Sequence, residues 1–182
     1  MGGVVATLAA ERSPALIGAV VYVSAFVPTR GRPAVEYAFS PEKEGSLASA
    51  QFIGDPAMVG AVRLDTGDPA HRAALYNALY HDVPIATAEA AISLLGPDAP
   101  VGLAGEAVTV STARFGSIPH TYVLCTDDNF VRPPLQRRMI REIDSIARAS
   151  TDVVELKSSH SPFLSRPVEI ADAIDKVWRS DT

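Results

Sequence analysis

Cysteine is almost absent from this chain of 182 residues. Its single cysteine, Cys125, excludes an internal disulfide and any zinc site built on paired cysteines. The four scattered histidines make a histidine-rich metal cage a poor reading, and neither a metal nor an organic cofactor is implied. Basic residues are also short: 16 Lys and Arg stand against 21 Asp and Glu, for a net charge of −5. An acidic balance without basic clusters offers nothing to nucleic acid or to an anionic membrane surface. No apolar run approaches the ~18 residues needed to span a bilayer. The opening Met1-Gly2-Gly3-Val4-Val5 has neither the basic region nor the cleavage motif of a secretory signal. Repeats and low-complexity tracts are missing as well. What is there, 47% hydrophobic and 20% charged residues, suits one soluble domain with a real core. The expectation is a single, cytoplasmic domain over residues 1–182.

The order of apolar patterns gives the fold class. Val4, Leu8, Ala9 and Ala10 recur at helical spacing until Pro14, so a helix begins at or near the first residue with no capping residue ahead of it. Ile17–Val23 is an unalternated, β-branched run, as in a strand covered on both faces of a parallel sheet. From Thr29 to Phe115 glycines and prolines interrupt the chain repeatedly. Helices are expected there near Pro56–Leu64, Pro69–Tyr80 and Pro84–Leu95. This stretch reads as a lid or cap inserted into an α/β scaffold. Regularity then returns: a strand at His120–Cys125, a helix at Pro133–Arg148, a strand at Asp152–Leu156 and a helix at Pro167–Arg179. Val168, Ala171, Ile174 and Trp178 are expected to form the inward face of that last helix. Strands alternating with helices predict an α/β class with about three parallel strands, arranged in sheet order as in sequence.

In open α/β sheets, reactive groups gather beyond the carboxyl ends of strands. Two polar loops hold that position. Thr126-Asp127-Asp128-Asn129 follows one strand, and Lys157-Ser158-Ser159-His160-Ser161 follows the next. An aspartate that orients an imidazole, followed in the chain by the histidine, is two thirds of a nucleophilic triad. Each candidate also has a plainer reading. Asp127 or Asp128 could simply cap its loop, and His160 could be an exposed loop histidine. Cys125 fits a small buried residue better than a nucleophile. Ser24 lacks the small flanking residues of a strained elbow, and Ser161 is too close to His160 in sequence to act on its imidazole. His81 and Asp82 could face a pocket or merely end a helix. Tyr76, Tyr80, Phe39, Phe52 and Phe115 could line an apolar pocket or pack in the core.

The segments Leu79-Tyr80-His81-Asp82-Val83-Pro84, Tyr122–Asp128, Pro134–Met139 and His160–Pro167 resemble the α/β-hydrolase fold. More narrowly they are similar to the branch of plant methylesterases, plant hydroxynitrile lyases and their bacterial esterase relatives. The resemblance implies an ester hydrolase acting on a small-molecule ester, with His160 as general base and Asp128 as the acid that orients it; spacing to Pro134–Met139 favours Asp128 over Asp127. It also implies that the nucleophilic serine of a Gly-His-Ser-Met-Gly-Gly elbow would stand directly before Met1, so that the chain begins inside the family's domain. Met1 then matches the residue whose backbone nitrogen serves the oxyanion hole, here a terminal ammonium. Without the serine, residues 1–182 are expected to be inactive, and the edge of the strand at Ile17–Val23 to be open to self-association. Lyases of the branch carry lysine directly after the histidine; Ser161 stands there, which disfavours that activity. A non-catalytic binding module is the alternative from another class.

Overall fold

The computed structural model describes residues 1–48 and 52–180. The first helix, α1 (Gly2–Arg12), starts directly after Met1 without a side-chain cap. Strand β1 (Val20–Val23) follows. The intervening segment then holds β2 (Arg30–Pro33), α2 (Ala34–Tyr37), α3 (Pro56–Val59), β3 (Ala61–Arg63), α4 (Pro69–Leu75), α5 (Ile85–Ser93), β4 (Asp98–Pro100), α6 (Gly102–Gly105) and β5 (Ala107–Thr109). The chain closes with β6 (His120–Cys125), α7 (Pro133–Asp144), β7 (Asp152–Leu156), α8 (Pro162–Ser165) and α9 (Pro167–Ser180).

The main sheet is parallel and ordered β1-β6-β7. Val20 to Val23 pair with His120 to Val123, and Thr121 to Cys125 pair with Asp152 to Leu156. Every residue of β6 is buried because it lies between two strands and under helices on both faces. One face carries Val20, Tyr22, Tyr122 and Leu124 against Ala10 of α1 and Leu135, Met139 and Ile143 of α7. The other carries Val21, Val23, Val123, Val154 and Leu156 against Ile170 and Ala173 of α9. Burial of this kind stabilises by about 25 cal/mol per Å². The outer strand β7 is different: Val153 and Glu155 are exposed, and its charges are paired outward, Glu155 to Arg137 and Asp152 to Lys176. Charged side chains of this type protect a sheet edge.

Local chemistry explains the helix starts. Pro133 and Pro134 open α7, where the missing N–H costs nothing. Asp68 caps α4 by accepting from the His71 amide at 2.9 Å, followed by Pro69. Gly3 lets α1 approach the turn after β1: a Cβ there would collide with the Phe26 carbonyl oxygen.

Several expectations need correction. The inward face of α9 is Ile170 and Ala173, whereas Val168, Ile174 and Trp178 are exposed, Trp178 at 75%. Apolar residues fill two adjoining sectors of the helix, and the sheet takes the one with Ile170 and Ala173, leaving Ala171 exposed with the rest of the expected face. The helix foreseen at Pro56–Leu64 stops at the left-handed Gly60 and continues as β3, paired antiparallel with β4. A second antiparallel pair, β2 with β5, lies at the roots of the intervening segment. Residues so broken by Gly and Pro carry no period from which such short strands could be read. The helix foreseen at Pro69–Tyr80 changes at Tyr76 into a π-helical turn that runs to Tyr80.

Candidate active site

Both polar loops sit at the carboxyl edge of the parallel sheet, after β6 and β7. The loops are laced together by backbone bonds: Thr126 N–H donates to Leu156 O at 2.9 Å and Asp127 N–H to Ser158 O at 3.1 Å. This brings Asp128 and His160 side by side, with His160 Nδ1 at 2.8 Å from Asp128 Oδ2. The Asp128 side chain is 0% exposed and that of His160 22%. The exposed Asp127 points its chemistry elsewhere and is not the partner of His160.

Asp128 is saturated by donors. Its Oδ1 accepts the N–H groups of Phe130 at 2.7 Å and Val131 at 2.9 Å, an Asx-type turn closed by the chain's own next residues. Oδ2 accepts Gln136 Nε2 at 3.2 Å as well as the imidazole. A carboxylate only accepts, so Nδ1 carries a proton toward Asp128 and Nε2 is the nitrogen turned away from it. Among the described residues Nε2 has no hydrogen-bond partner. The Phe130 ring lies 4.9 Å from the imidazole, centroid to centroid, and walls one side of it. The arrangement can take a proton at Nε2 while Asp128 holds the ring's tautomer and stabilises the imidazolium that results.

Gln136 lies inside the segment Pro134–Met139, for which the sequence gives it no role of its own. It is fully buried on the apolar face of α7. Its Nε2 also donates to Val131 O at 2.7 Å and Cys125 O at 3.2 Å, and its Oε1 accepts Cys125 N–H at 3.1 Å. A glutamine between Leu135 and Met139 on a buried stripe is the signal that could have revealed it, because buried polar groups have partners. Ser24, disfavoured as a nucleophile for want of small flanking residues, has a different place. It is buried at the end of β1, donates its hydroxyl to His160 O at 2.8 Å, and adopts φ 43°, a left-handed conformation rare for serine.

Met1 lies at the same end of the sheet. The start of α1 packs on Ala25 and Phe26, directly after the Ser24 that bonds to His160. Burial lowers the pKa of the Met1 ammonium. Cys125 is buried, and burial pushes its thiol up to about 12, so it stays a thiol rather than a nucleophile. Asp82 contacts the site: its Oδ2 accepts the Ser159 N–H at 2.9 Å. Burial alone would raise the Asp82 pKa, but the bonds from Ser159, the Ser165 hydroxyl and the nearby His81 together hold the carboxyl below its ordinary range. His81 Nδ1 lies 3.3 Å from Asn129 Nδ2.

Of the aromatic candidates, Tyr80 packs in a cluster with Leu75, Val83, Ala88 and Ile92, with Tyr76 at its margin. Phe115 packs on His120 at the far, amino end of β6, and Phe39 is 76% exposed under the Lys43 ammonium. Among the described residues no group of three or more His, Cys, Asp or Glu could hold a metal ion. No described helix is long and apolar enough to cross a membrane.

Residues 1–173 match the model of the alpha/beta hydrolase family. Methylesterase 7 of Arabidopsis thaliana is 29% identical over 175 residues, which are 93% of this chain and 63% of that protein. Methyl jasmonate esterase 1 of Vitis vinifera is 26% identical over 187 residues, 99% of this chain and 68% of that one. The chain thus spans about two thirds of the length of these relatives, and less than two thirds of the first. Among solved structures, the pyrethroid hydrolase PytH superposes with a TM-score of 0.78 at 19% identity, over 99% of this chain and 68% of that one. Polyneuridine aldehyde esterase superposes with a TM-score of 0.67 at 21% identity, covering 96% and 68%.

Proposed function

The chain belongs to the alpha/beta hydrolase family, and on that premise we propose that it carries the acid and base of an esterase acting on a small carboxylic ester. The observation that carries this reading is the 2.8 Å bond from His160 Nδ1 to the wholly buried Asp128. His160 takes the proton of a serine nucleophile as it attacks the acyl carbon, then returns it to the leaving alcohol. Asp128 holds the tautomer throughout. The relatives' greater length supports a serine supplied from a segment ahead of Met1, with the Met1 nitrogen as one oxyanion donor. Methyl esters are the first substrates to try, because the two similar proteins are by name a methylesterase and a methyl jasmonate esterase. Residues 29–115 act as the lid that shapes the ester pocket; their helical end lies against both site loops.

Residues 1–182 are expected to hydrolyse p-nitrophenyl acetate no faster than background. A chain extended through a Gly-His-Ser elbow and its preceding strands should be active, and His160→Ala in that chain should lower kcat by about 10⁴-fold or more. Robust activity in residues 1–182 that a serine-directed phosphonate blocks would overturn the assignment of the nucleophile.

The same reading makes β1 an interior strand left at an edge. Among the described residues it pairs only with β6, and Val20–Val23 offer no charge to discourage pairing. Residues 1–182 should self-associate through that edge. A sharp monomer peak on size exclusion, with a cooperative melt above about 50 °C, a temperature within the usual range for mesophile domains, would count against it.

A further inference from the structure

The stretch Asn77–Val83 ends the helix that begins at Pro69, and it lies against both site loops. Its π-helical turn, Tyr76–Tyr80, leaves carbonyls at the helix end for partners elsewhere, and such turns recur at functional sites. Asn77 O accepts Asn129 Nδ2 at 3.0 Å, and Leu79 O accepts the Ser159 hydroxyl at 3.0 Å. Asn129 follows Asp128 in the chain, and Ser159 precedes His160. Asp82, just past the turn, supplies the charged contact, accepting the Ser159 N–H at 2.9 Å on Oδ2. Its other oxygen, Oδ1, is buried without a hydrogen-bond partner among the described residues. The charged acceptor bond of Asp82 is directed at the histidine loop, with the Ser165 hydroxyl a further stabilising neighbour.

We propose that Asp82 is a positioning residue for His160: its carboxylate pins the Ser159 N–H and so sets the backbone from which the imidazole reaches Asp128. The proposal rests on the reading of Asp128 and His160 as acid and base. A charged acceptor makes a shorter and stronger bond than a neutral one. Ser159 is adjacent to His160, so a slip there passes directly to the ring, and a displacement of ~1 Å at a reacting group can cost ~100-fold in rate. Other fastenings of the loop remain when Asp82 is removed. Ser24 still holds His160 O, and Leu164 still packs against the cluster of Leu75 and Ile92. Loss of Asp82 therefore loosens the loop without releasing it.

The test is NMR on the full 182-residue chain with two readouts. One is amide hydrogen exchange at Ser159, compared with Val123 in the sheet. The other is the downfield imidazole N–H resonance that a histidine bonded to a carboxylate displays. In Asp82→Ala, Ser159 exchange should become about 10–100-fold faster, with Val123 unchanged and the imidazole resonance broadened. Asp82→Asn keeps an acceptor of the same reach without the charge, and should give roughly threefold faster exchange. It also decides the matter if the alanine variant does not fold. Wild-type exchange and an unaltered imidazole resonance in either variant would overturn the role of Asp82. A wild-type chain without that resonance, or one that keeps it in Asp128→Asn, would overturn the acid–base pair itself, whatever Ser159 does.

Discussion

Asp128 and His160 meet at 2.8 Å, yet the chain holds them in opposite ways. Asp128 is fastened locally. Phe130 and Val131 are two and three residues away, and Gln136 is eight. All belong to the loop after β6 or to α7, which packs beneath it. His160 is fastened remotely. Ser24 reaches its carbonyl from 136 residues earlier, and Asp82 holds its neighbour Ser159 from 77 residues earlier. Asp128 is therefore fixed by one loop and one helix. His160 is in register only when β1, the end of the intervening helix and the loop after β7 are all assembled. His160 is thus held by its backbone, with its ring left partly open.

The most severe way to break this contrast is Asp128→Ala. It strands the N–H groups of Phe130 and Val131, while Gln136 Nε2 keeps Val131 O and Cys125 O as acceptors. Each buried donor left without a partner costs about 1–3 kcal/mol, so the variant should lose roughly 2–4 kcal/mol in urea denaturation. His160→Ala removes a partly exposed ring whose fastening is through its backbone, and it should cost less than ~1 kcal/mol. Comparable losses in both variants would show that Asp128 is not the more deeply built of the two.

The same contrast explains what could be read from sequence. The three strands were legible as apolar runs, and α7 as a period with paired prolines, since each depends on neighbours in the chain. The order of Asp128 and His160 after consecutive strands pointed to one sheet edge. Gln136 left a trace, a polar side chain on an apolar stripe. Ser24 and Asp82 stood out as polar residues at element ends, but nothing within ten residues of either announces a partner in the histidine loop. The face of α9 was misread for a related reason. Both of its stripes are apolar, and only the packed sheet selects Ile170 and Ala173 over Val168, Ile174 and Trp178. The broken stretch from Thr29 to Phe115 hid β2, β3, β4 and β5 because strands of three or four residues are too short to show alternation.

The subtlest effect is expected at Ser24, where bond and strain can be separated. Its φ of 43° lies in the left-handed region, which costs an L-residue about 1–2 kcal/mol relative to ordinary backbone. Its hydroxyl bond to His160 O at 2.8 Å returns about 1 kcal/mol. Ser24→Ala deletes the bond and keeps the strain. Ser24→Gly deletes the same bond but relieves the strain, at a cost of about 0.5–1 kcal/mol in unfolded-state freedom. Glycine should therefore be the more stable of the two by roughly 0.5 kcal/mol. Both should broaden the His160 imidazole resonance equally, because both leave its carbonyl untied. Equal stabilities would mean that the backbone at Ser24 is unstrained. A sharp imidazole resonance in both variants would mean that the remote tie from β1 does not govern the base, and the contrast with Asp128 would then rest on the histidine loop's bonds to Leu79 and Asp82 alone.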